Sequence, residues 1–447
     1  MTSPIGSKFQ EDRRMAHTNR LIRNDGTPWL LDGATGTWLQ SHGLPPGVSL
    51  ERWVLDHPQV LADLQRAYLE AGSQIIYTFT FGANRPKLLR HGYQPDEAAA
   101  CNKALADISC QVRDRYLGGH PGATVLVAGD LAPTGEFLAP AGTMSFSQLV
   151  EVYSEQVSAL VKSGVDLFVI ETMFDLAQTR AALIAIRQQC QLPVIASMTL
   201  EPHGHTLSGD RADCCLLTLA ALSADAFGFN CSQGPDELAD WLRPLLRISP
   251  LPLLAKPNAG RPVQIEGQTV FPMDPQAFAS RMEQLAEIGI ACLGGCCGTG
   301  PEHIRQMRMM IDRQPPIPMP LSDRSEMMIC SARQTWTVDP AKISTLPLIE
   351  VRQADEWVDD MMEAADNDPP AIICELSGLP DNGSPDLDDW FDTLLELQLM
   401  VHQPLIFTCP DPSAWAALRS LLTIYNGKAG ITGHQAPEIS GTLRITC

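Results

Sequence analysis

The stretch Cys292-Leu293-Gly294-Gly295-Cys296-Cys297-Gly298-Thr299 sets two adjacent cysteines between glycines. The apolar residues 288–291 before it have the length of a short buried strand, and Pro301 after it is typical of the first turn of a helix. The cysteines therefore stand where a strand gives way to a helix, and the glycines allow a tight turn and the close approach of a ligand. Adjacent cysteines form a strained disulfide but a good thiolate pair for a soft metal such as zinc.

Eight short apolar segments, each followed by a helical pattern, have the composition of buried strands. They are residues 29–34, 74–79, 124–128, 166–171, 193–197, 226–230, 252–255 and the run that enters the double-cysteine turn. Eight such units within residues 28–313 predict an α/β fold of the (β/α)8 TIM-barrel type. A doubly wound open sheet is the alternative, but the segment after the first strand, residues 32–37, lacks the glycine pattern of dinucleotide-binding proteins.

The regions outside the predicted barrel differ from it in composition. Residues 1–27 form a polar N-terminal extension, and residues 314–345 begin with a proline-rich run that we interpret as a linker. Residues 346–447 are predicted to form a small acidic α/β domain. Its predicted elements are strands at residues 371–375, 404–408, 428–432 and 441–446 and helices at residues 386–400 and 411–423.

The charge of the chain is strongly negative and unevenly distributed. The net charge is -20 over 447 residues, and residues 346–447 hold 17 Asp and Glu against four Lys and Arg. Nucleic acids and anionic membranes require basic surfaces, so we expect neither as a partner. The acidic domain is either a solvated surface or a docking face for a partner such as a corrinoid-carrying protein.

The cysteine content and the first residues indicate a cytoplasmic protein. The 13 cysteines are an odd number without the spacing of a disulfide framework, which favours free thiols in a reducing compartment. Residues 1–23 lack the apolar core of a secretory signal. No apolar run reaches the ~18–20 residues of a membrane span.

The barrel prediction brings the residues that end its strands to one mouth, because active sites in this fold lie at the carboxyl ends of the strands. The polar residues there are Asp32, Thr78, Glu171, Asn230, Cys231, Asn258, Cys296 and Cys297. The three cysteines supply the three protein ligands of a catalytic zinc site with an open fourth position. For Cys231 alone, the alternative is a small core residue, as free cysteines often are.

Zinc with three thiolate ligands is a weak Lewis acid, but it suits a fourth, exchangeable thiol. It lowers the pKa of that thiol and leaves a thiolate that attacks an electrophilic carbon. The predicted chemistry is therefore alkyl transfer onto a substrate thiol, with Cys231, Cys296 and Cys297 as the catalytic metal ligands.

Two carboxylates and two turns at the mouth suit an amino-acid thiol. Asp32 and Glu171 can face a substrate ammonium group, and the N–H groups of the turns after Asp32 and around Thr78 can face a carboxylate. The alternatives are that Asp32 only caps its turn and that Glu171 is a solvated loop residue.

Six motifs carry a family resemblance. They are Asp32-Gly33-Ala34-Thr35-Gly36, Thr78-Phe79-Thr80-Phe81-Gly82-Ala83-Asn84-Arg85, Ile170-Glu171-Thr172, Phe229-Asn230-Cys231-Ser232, Pro257-Asn258-Ala259-Gly260 and Gly294-Gly295-Cys296-Cys297-Gly298-Thr299. In this order they resemble the homocysteine S-methyltransferases, which include betaine–homocysteine methyltransferase, S-methylmethionine-dependent enzymes and the homocysteine domain of cobalamin-dependent methionine synthase. The resemblance covers residues 29–313 and implies a (β/α)8 barrel that methylates homocysteine to methionine.

The resemblance also implies how the substrate and the metal are held. Zinc would be bound by Cys231, Cys296 and Cys297, and the homocysteine sulfur would bind the metal. The amino group of homocysteine would contact Asp32 and Glu171, and its carboxylate would contact backbone groups at Gly33 and Thr78. We expect Asn230 to be a further substrate contact.

The sequence leaves the methyl donor open. The stretch Thr78-Phe79-Thr80-Phe81 is more similar to the betaine enzyme than to methionine synthase. Proteins usually surround a quaternary ammonium with aromatic rings. Three aromatic positions of the betaine enzyme are Ser49, Gly82 and Thr172 in this chain, while Trp53 and Tyr77 lie nearby. The candidate donors are a methylcorrinoid protein, S-methylmethionine and a betaine-like compound.

Two other functions are compatible with these residues. One is a methyltransferase subunit that passes a methyl group from another donor to a corrinoid protein and does not depend on homocysteine. The other is a non-catalytic binding or regulatory protein with the same barrel. The complete set of Cys231, Cys296 and Cys297 argues against the second.

Overall fold

A computed structural model describes residues 21–45, 47–265, 268–317, 321–433 and 436–445. Its strands are β1 (Trp29–Leu30), β2 (Ile75–Tyr77), β3 (Leu126–Leu131), β4 (Leu167–Met173), β5 (Val194–Met198), β6 (Ala226–Asn230), β7 (Leu253–Lys256), β8 (Val263–Ile265), β9 (Gln268–Val270), β10 (Cys292–Leu293), β11 (Met328–Cys330), β12 (Thr335–Thr337), β13 (Leu348–Val351), β14 (Ile372–Leu376), β15 (Leu405–Thr408), β16 (Ala429–Ile431) and β17 (Thr442–Arg444). Residues 1–20 of the predicted extension, residues 318–320 of the predicted linker and residue 446 of the last predicted strand lie outside the described residues.

The helices alternate with these strands. They are α1 (Gly36–Ser41), α2 (Leu50–Asp56), α3 (Pro58–Glu70), α4 (Arg85–Arg90), α5 (Ala98–Gly119), α6 (Phe146–Ser163), α7 (Leu176–Gln189), α8 (Ala212–Ala221), α9 (Pro235–Leu245), α10 (Pro275–Glu287), α11 (Pro301–Arg313), α12 (Ala354–Ala365), α13 (Leu387–Met400) and α14 (Trp415–Leu421). Across the part of the chain that the structure covers, none of them is both long enough and apolar enough to cross a membrane. The cytoplasmic location stays a prediction.

Eight parallel strands form the larger sheet, in the order β1-β10-β7-β6-β5-β4-β3-β2. A parallel bridge between Leu31 and Ile75 joins the two ends of this order. The sheet is therefore a closed barrel, and a helix follows each strand along the chain. The predicted (β/α)8 fold is confirmed, and the open-sheet alternative is wrong.

Local sequence signals determine where the barrel helices begin and end. At the start of α6, the N–H of Gln148 donates to Oγ of Ser145 (3.2 Å) while the N–H of Ser145 donates to the side chain of Gln148 (2.9 Å). Gly164 caps the end of the same helix, and its φ of 80° is the left-handed conformation that glycine adopts readily. Helix α11 begins at Pro301, as predicted from the sequence.

Alternate residues of the barrel strands point into the barrel and form layers. One buried apolar layer contains Leu31, Ile75, Ala128, Val169, Ile195, Ala226 and Leu254. Further along the same strands, the layer nearer the carboxyl ends is buried but polar, and its members are Tyr77, Asp130, Glu171, Ser197, Asn230 and Lys256. The apolar layer thus forms the floor of a charged chamber at the mouth where the double-cysteine turn lies.

The smaller sheet contains β13 to β17 in sequential order, and all its strands are parallel. Helices α12, α13 and α14 pack on one face through a core that includes Trp357 and Leu394. The other face is covered by residues of the β11–β12 hairpin and of the segment after it, such as Ile329 and Ile343. The predicted small α/β unit is present with two further elements, β13 and α12, that were not predicted. The domain boundaries stay predictions.

The smaller unit packs against the barrel through buried polar contacts. Arg180 on α7 is buried, and its Nη2 donates to the carbonyls of Leu422 (3.4 Å) and Thr423 (2.8 Å). Burial lowers the pKa of Arg180 to about 10. Cys214 on α8 packs against Cys330 on β11, so the thiols of both residues lie in a buried contact.

Candidate metal and acceptor site

Three cysteine sulfurs meet at the carboxyl ends of β6 and β10. The Sγ atoms of Cys231, Cys296 and Cys297 all lie within 4.8 Å of one another, and those of Cys231 and Cys297 are 3.6 Å apart. Tetrahedral zinc with Zn–S bonds of about 2.3 Å requires sulfurs about 3.8 Å apart, so the three fit three corners of such a site. Within the described residues, this is the one group of His, Cys, Asp or Glu side chains that could hold a metal ion.

Asn258 connects the two loops that carry these sulfurs. Its Nδ2 donates to the carbonyl of Cys231, and its Oδ1 accepts from the N–H of Cys297 (3.1 Å). Cys231 has a φ of 60°, a left-handed conformation that costs a non-glycine residue about 1–3 kcal/mol. Gly298 also has a positive φ of 81°, and a side chain there would collide with Phe271. The backbone is thus held in a conformation that turns both loops toward one point.

The three thiols do not ionise independently. Hydrogen bonds from Cys231 and Cys296 lower the pKa of Cys297 to about 4. Hydrogen bonds to Cys296 and Cys297 raise the pKa of Cys231 well above its usual range. For Cys296, a bond from Cys231 lowers the pKa, but the bond to Cys297, burial and the Cys297 charge together raise it to about 11. The three thiols therefore share protons as one coupled group, and a bound divalent cation would favour the thiolate form of all three.

A buried ion pair lies beside the cysteines. Nζ of Lys256 is 3.3 Å from Oδ1 of Asp32, and both side chains are buried. Oδ2 of Asp32 accepts from the N–H of Tyr77 (2.8 Å), whose ring centroid is 4.3 Å from the Lys256 ammonium. Burial raises the pKa of Asp32, although Lys256 opposes it. Burial lowers the pKa of Lys256, but the charges of Asp32, Glu171 and Cys296 outweigh burial and raise it.

Two more carboxyl groups face the same chamber. Burial raises the pKa of Glu171 to about 7, with Lys256 opposing and the charges of Cys296 and Asp32 adding to the rise. Burial and then the charge of Glu171 raise the pKa of Asp130. Oδ1 of Asp130 is buried and has no hydrogen-bond partner among the described residues. Three carboxyl groups thus face Lys256, while the charge of Lys87 also acts on Asp130, and the remaining excess of acidic groups suits a cationic ligand.

Asn230 forms hydrogen bonds to the residue that follows Glu171 and to strand β5. Its Oδ1 accepts from the N–H of Thr172 (2.8 Å) and from Oγ of Ser197 (2.7 Å). Its Nδ2 donates to Oγ1 of Thr172 (2.7 Å) and lies 3.5 Å from Oε2 of Glu171. Asn230 therefore orients the turn that carries Glu171, and direct contact with substrate stays a prediction.

The two predicted carboxylate contacts, Gly33 and Thr78, have different surroundings. A Cβ at Gly33 would lie 2.7 Å from Oη of Tyr68 and 2.9 Å from Oγ1 of Thr299, so glycine is required for this packing. The N–H of Thr78 donates to the carbonyl of Ala128 (2.9 Å) within the barrel. Its hydroxyl accepts from the N–H of Asp130 (2.9 Å). Both residues stay predicted substrate contacts.

A sequence model described as homocysteine S-methyltransferase matches residues 29–311, more than half of the chain. The chain belongs to the homocysteine S-methyltransferase family. This confirms the resemblance and the predicted class of enzyme, and the match includes all three cysteines.

Curated relatives and solved structures agree with the family. Methionine synthase from Mycobacterium tuberculosis is 32% identical over 288 residues, which are 62% of this chain and 24% of that protein. Methionine synthase from Mycobacterium leprae is 30% identical over 321 residues, 69% of this chain and 26% of that protein. This chain thus spans about a quarter of the length of these relatives. The metallated homocysteine methyltransferase MmuM from Escherichia coli is similar with a TM-score of 0.55 and 25% identity, over 63% of this chain and 96% of that chain.

The region where the betaine enzyme of this family has aromatic rings is polar in this chain. Oγ of Ser49 donates to Oε2 of Glu51 (3.0 Å), and both residues are buried. A side chain at Gly82 would collide with Oε1 of Glu51. The Trp53 ring stacks on His57, with centroids 4.6 Å apart, and the Tyr77 ring faces Lys256. The carboxylate of Glu51 therefore fills the space beside Gly82, one of the three positions that are aromatic in the betaine enzyme.

The sequence prediction missed three acidic or basic residues of this region. Lys256 directly follows the apolar run 252–255 and precedes the Pro257-Asn258 motif. Its place at the end of a predicted strand could therefore have indicated a residue of the barrel mouth. Asp130 was missed because the third strand was predicted to end at residue 128, whereas β3 continues to Leu131. Glu51 lies in α2 and carries no sequence signal of burial.

Proposed function

We propose that this protein transfers a methyl group to the thiol of homocysteine and so forms methionine in a zinc-dependent reaction. The observation that carries the proposal is the convergence of the Cys231, Cys296 and Cys297 sulfurs within 4.8 Å at the mouth of a barrel of this family. Three protein ligands leave the fourth tetrahedral position for an acceptor thiol.

The residues present fit zinc, because they offer three soft sulfur ligands within 4.8 Å of one another. Bound there, the ion supplies an open coordination position and favours the thiolate form of an acceptor. Asn258 keeps the Cys231 and Cys297 loops at a fixed separation. The acidic groups of the chamber, Glu171 among them, attract the ammonium group of an amino-acid thiol and so orient its sulfur toward the cysteines.

The transfer itself forms one bond and breaks one bond. The acceptor sulfur provides the electron pair of the new S–CH3 bond, and the bond between the methyl group and the donor breaks with its electrons left on the donor. The proton of the acceptor thiol is released before the attack. A methylsulfonium donor then leaves as a neutral thioether, and a methylcorrinoid leaves as the Co(I) corrinoid because cobalt keeps the electron pair. Neither transfer needs an external oxidant or reductant.

The chamber supports donors other than betaine. A quaternary ammonium is best held by aromatic faces, but Ser49, Gly82 and Glu51 form a polar region there. A methylcorrinoid carried by another protein and S-methylmethionine remain the proposed donors. The acidic unit that begins near residue 346 is a proposed docking face for such a carrier.

The test is methionine formation by the purified, zinc-loaded protein from homocysteine, with methylcobalamin, S-methylmethionine and betaine offered separately. We expect turnover with one of the first two. Cys297→Ala should abolish it, while Cys190→Ala, which removes a half-buried thiol outside the site, should not. Methyl transfer from a donor to a corrinoid protein without homocysteine would instead support the alternative corrinoid methyltransferase.

A further inference from the structure

Lys256 occupies the position at Asp32 where the family resemblance would put the substrate ammonium. Its Nζ lies 3.3 Å from Oδ1 of Asp32, and the other oxygen of Asp32 accepts from the N–H of Tyr77 (2.8 Å). Lys256 and Asp32 are 4% and 2% exposed, so water does not compete for this pair. Oδ2 of Asp32 therefore has an N–H donor. Oδ1 of Asp32 has no hydrogen bond among the described residues, and the Lys256 ammonium balances its charge as an ion-pair partner.

The lysine is held firmly at this position. It ends strand β7, where the pairing of β6 and β7 sets Lys256 beside Asn230, and its carbonyl accepts from the N–H of Cys231 (3.2 Å). Its ammonium lies over the Tyr77 ring at 4.3 Å from the centroid, which adds a cation–π attraction. A free ligand would have to displace a tethered, desolvated ammonium from both partners to reach Asp32.

The opposite wall of the chamber still has free acceptor capacity. Glu171 is 9% exposed, and among the described residues its side chain accepts one hydrogen bond, a long contact of 3.5 Å from Nδ2 of Asn230. Asp130, on the neighbouring strand β3, is 3% exposed, and its Oδ1 has no partner in the part of the chain described. A buried carboxylate oxygen without a partner is costly unless a ligand satisfies it.

We propose that Lys256 is a specificity-determining residue that permanently occupies Asp32, so that Glu171 and Asp130, and not Asp32, bind the ammonium group of the acceptor. This inference rests on the proposed function for the identity of the acceptor. Asp32 then serves to position Lys256, and Lys256 and the acceptor ammonium together balance the carboxylates of the chamber. The family assignment of Asp32 as a direct ammonium contact would not apply to this chain.

The test compares two ligands that differ only in the ammonium group. Calorimetry would measure the Kd of L-homocysteine and of 4-sulfanylbutanoate, which keeps the thiol and carboxylate, on the zinc-loaded protein. The Kd of 4-sulfanylbutanoate divided by the Kd of L-homocysteine measures how strongly the protein recognises the ammonium group. Glu171→Gln should reduce this ratio by about 30-fold or more, as expected when one partner of a buried charge pair is removed. The double variant Lys256→Met with Asp32→Asn should leave it within about threefold.

A thermal-unfolding comparison without ligand tests the ion pair itself. Lys256→Met alone should lower Tm because Asp32 is left buried without its cation, and adding Asp32→Asn should restore most of the loss. Lys103→Met, which breaks an exposed pair with Asp107, is the matched control and should have little effect. Asparagine still accepts from the N–H of Tyr77, so the double variant keeps that bond.

The outcomes separate this inference from the function it rests on. If the double variant loses ammonium recognition while Glu171→Gln keeps it, Asp32 is the ammonium site and the inference is wrong. If Lys256→Met does not lower Tm, the pair does not hold Asp32 and the inference is also wrong. If zinc-loaded wild-type protein binds neither ligand, while the thermal results are as expected, the proposed acceptor is wrong and the ion pair stands.

Discussion

The Sγ of Cys231 lies 3.6 Å from the Sγ of Cys297, although the two residues are 66 positions apart in the chain. The two loops reach this separation because each follows a strand of the same closed parallel barrel. Without a cation, three thiols this close share protons, which is why their pKa values diverge so widely. A cluster of this kind could hold a metal ion.

Replacing Cys297 with alanine should remove stable zinc binding without unfolding the barrel. The side chain is only partly buried and contributes little to the apolar core, whereas it supplies one of three ligands. Metal content after dialysis, measured by atomic absorption, should fall from about one zinc per chain to near zero, while the far-ultraviolet circular dichroism spectrum stays unchanged. A Cys297→Ala protein that retains its zinc would show that the ligand set is wrong.

Asn258→Ala should weaken zinc binding although Asn258 is not proposed as a ligand. The change removes the hydrogen bonds that join the Cys231 carbonyl to the Cys297 N–H, and the strained φ of Cys231 is then less well held. We expect zinc affinity to fall about 10- to 100-fold, as for other residues that support metal ligands. Competition with a chromophoric chelator would measure it, with Asn382→Ala in the acidic unit as the control. Equal affinities in the two variants would contradict the prediction.

The barrel fold and the convergence of the three cysteines could be predicted for the same physical reason. In a parallel barrel, every strand ends at the same mouth, so residues distant in sequence such as Cys231 and Cys296 can be expected to meet. Lys256 and Asp130 were not predicted as site residues. The sequence around a charged residue at the end of a strand is the same whether its side chain faces solvent or a buried chamber. Backbone groups around Thr78 were predicted to contact the acceptor carboxylate, and the register of β2 and β3 pairs the N–H of Thr78 itself with the carbonyl of Ala128. Register is a long-range property that local sequence does not reveal.

Glu171→Gln should stabilise the protein at pH 8 while it impairs the acceptor site. Burial raises the folded-state pKa of Glu171 from 4.5 to about 7. A carboxyl group with a raised pKa favours folding below its unfolded pKa, and this contribution is lost as the pH rises through the folded pKa. At pH 8 the ionised group therefore costs roughly 3 kcal/mol, which the neutral amide avoids.

The same titration sets the expected pH dependence of acceptor binding. In the wild-type protein the KM for homocysteine should rise as the pH falls below about 7, because protonated Glu171 no longer attracts an ammonium group. Urea unfolding at pH 8 and pH 4 would measure the stability difference, which should be large at pH 8 and small at pH 4. A Glu171→Gln variant that is less stable at pH 8, or whose KM keeps the wild-type pH dependence, would refute this assignment.

Arg180→Ala should loosen the contact between the barrel and the smaller sheet. Arg180 is 2% exposed, and its guanidinium donates to the Leu422 and Thr423 carbonyls and lies 5.4 Å from the Phe146 ring centroid. Truncation leaves those carbonyls without their donor and creates a cavity, so we expect a loss of about 2–5 kcal/mol in the free energy of unfolding. Arg180→Met should lose less, because it keeps the apolar stem and removes a buried charge whose Nε and Nη1 have no hydrogen-bond partner among the described residues. Limited proteolysis would report faster release of the smaller unit in Arg180→Ala than in the exposed control Arg243→Ala, and equal cleavage rates would show that Arg180 does not hold the two units together.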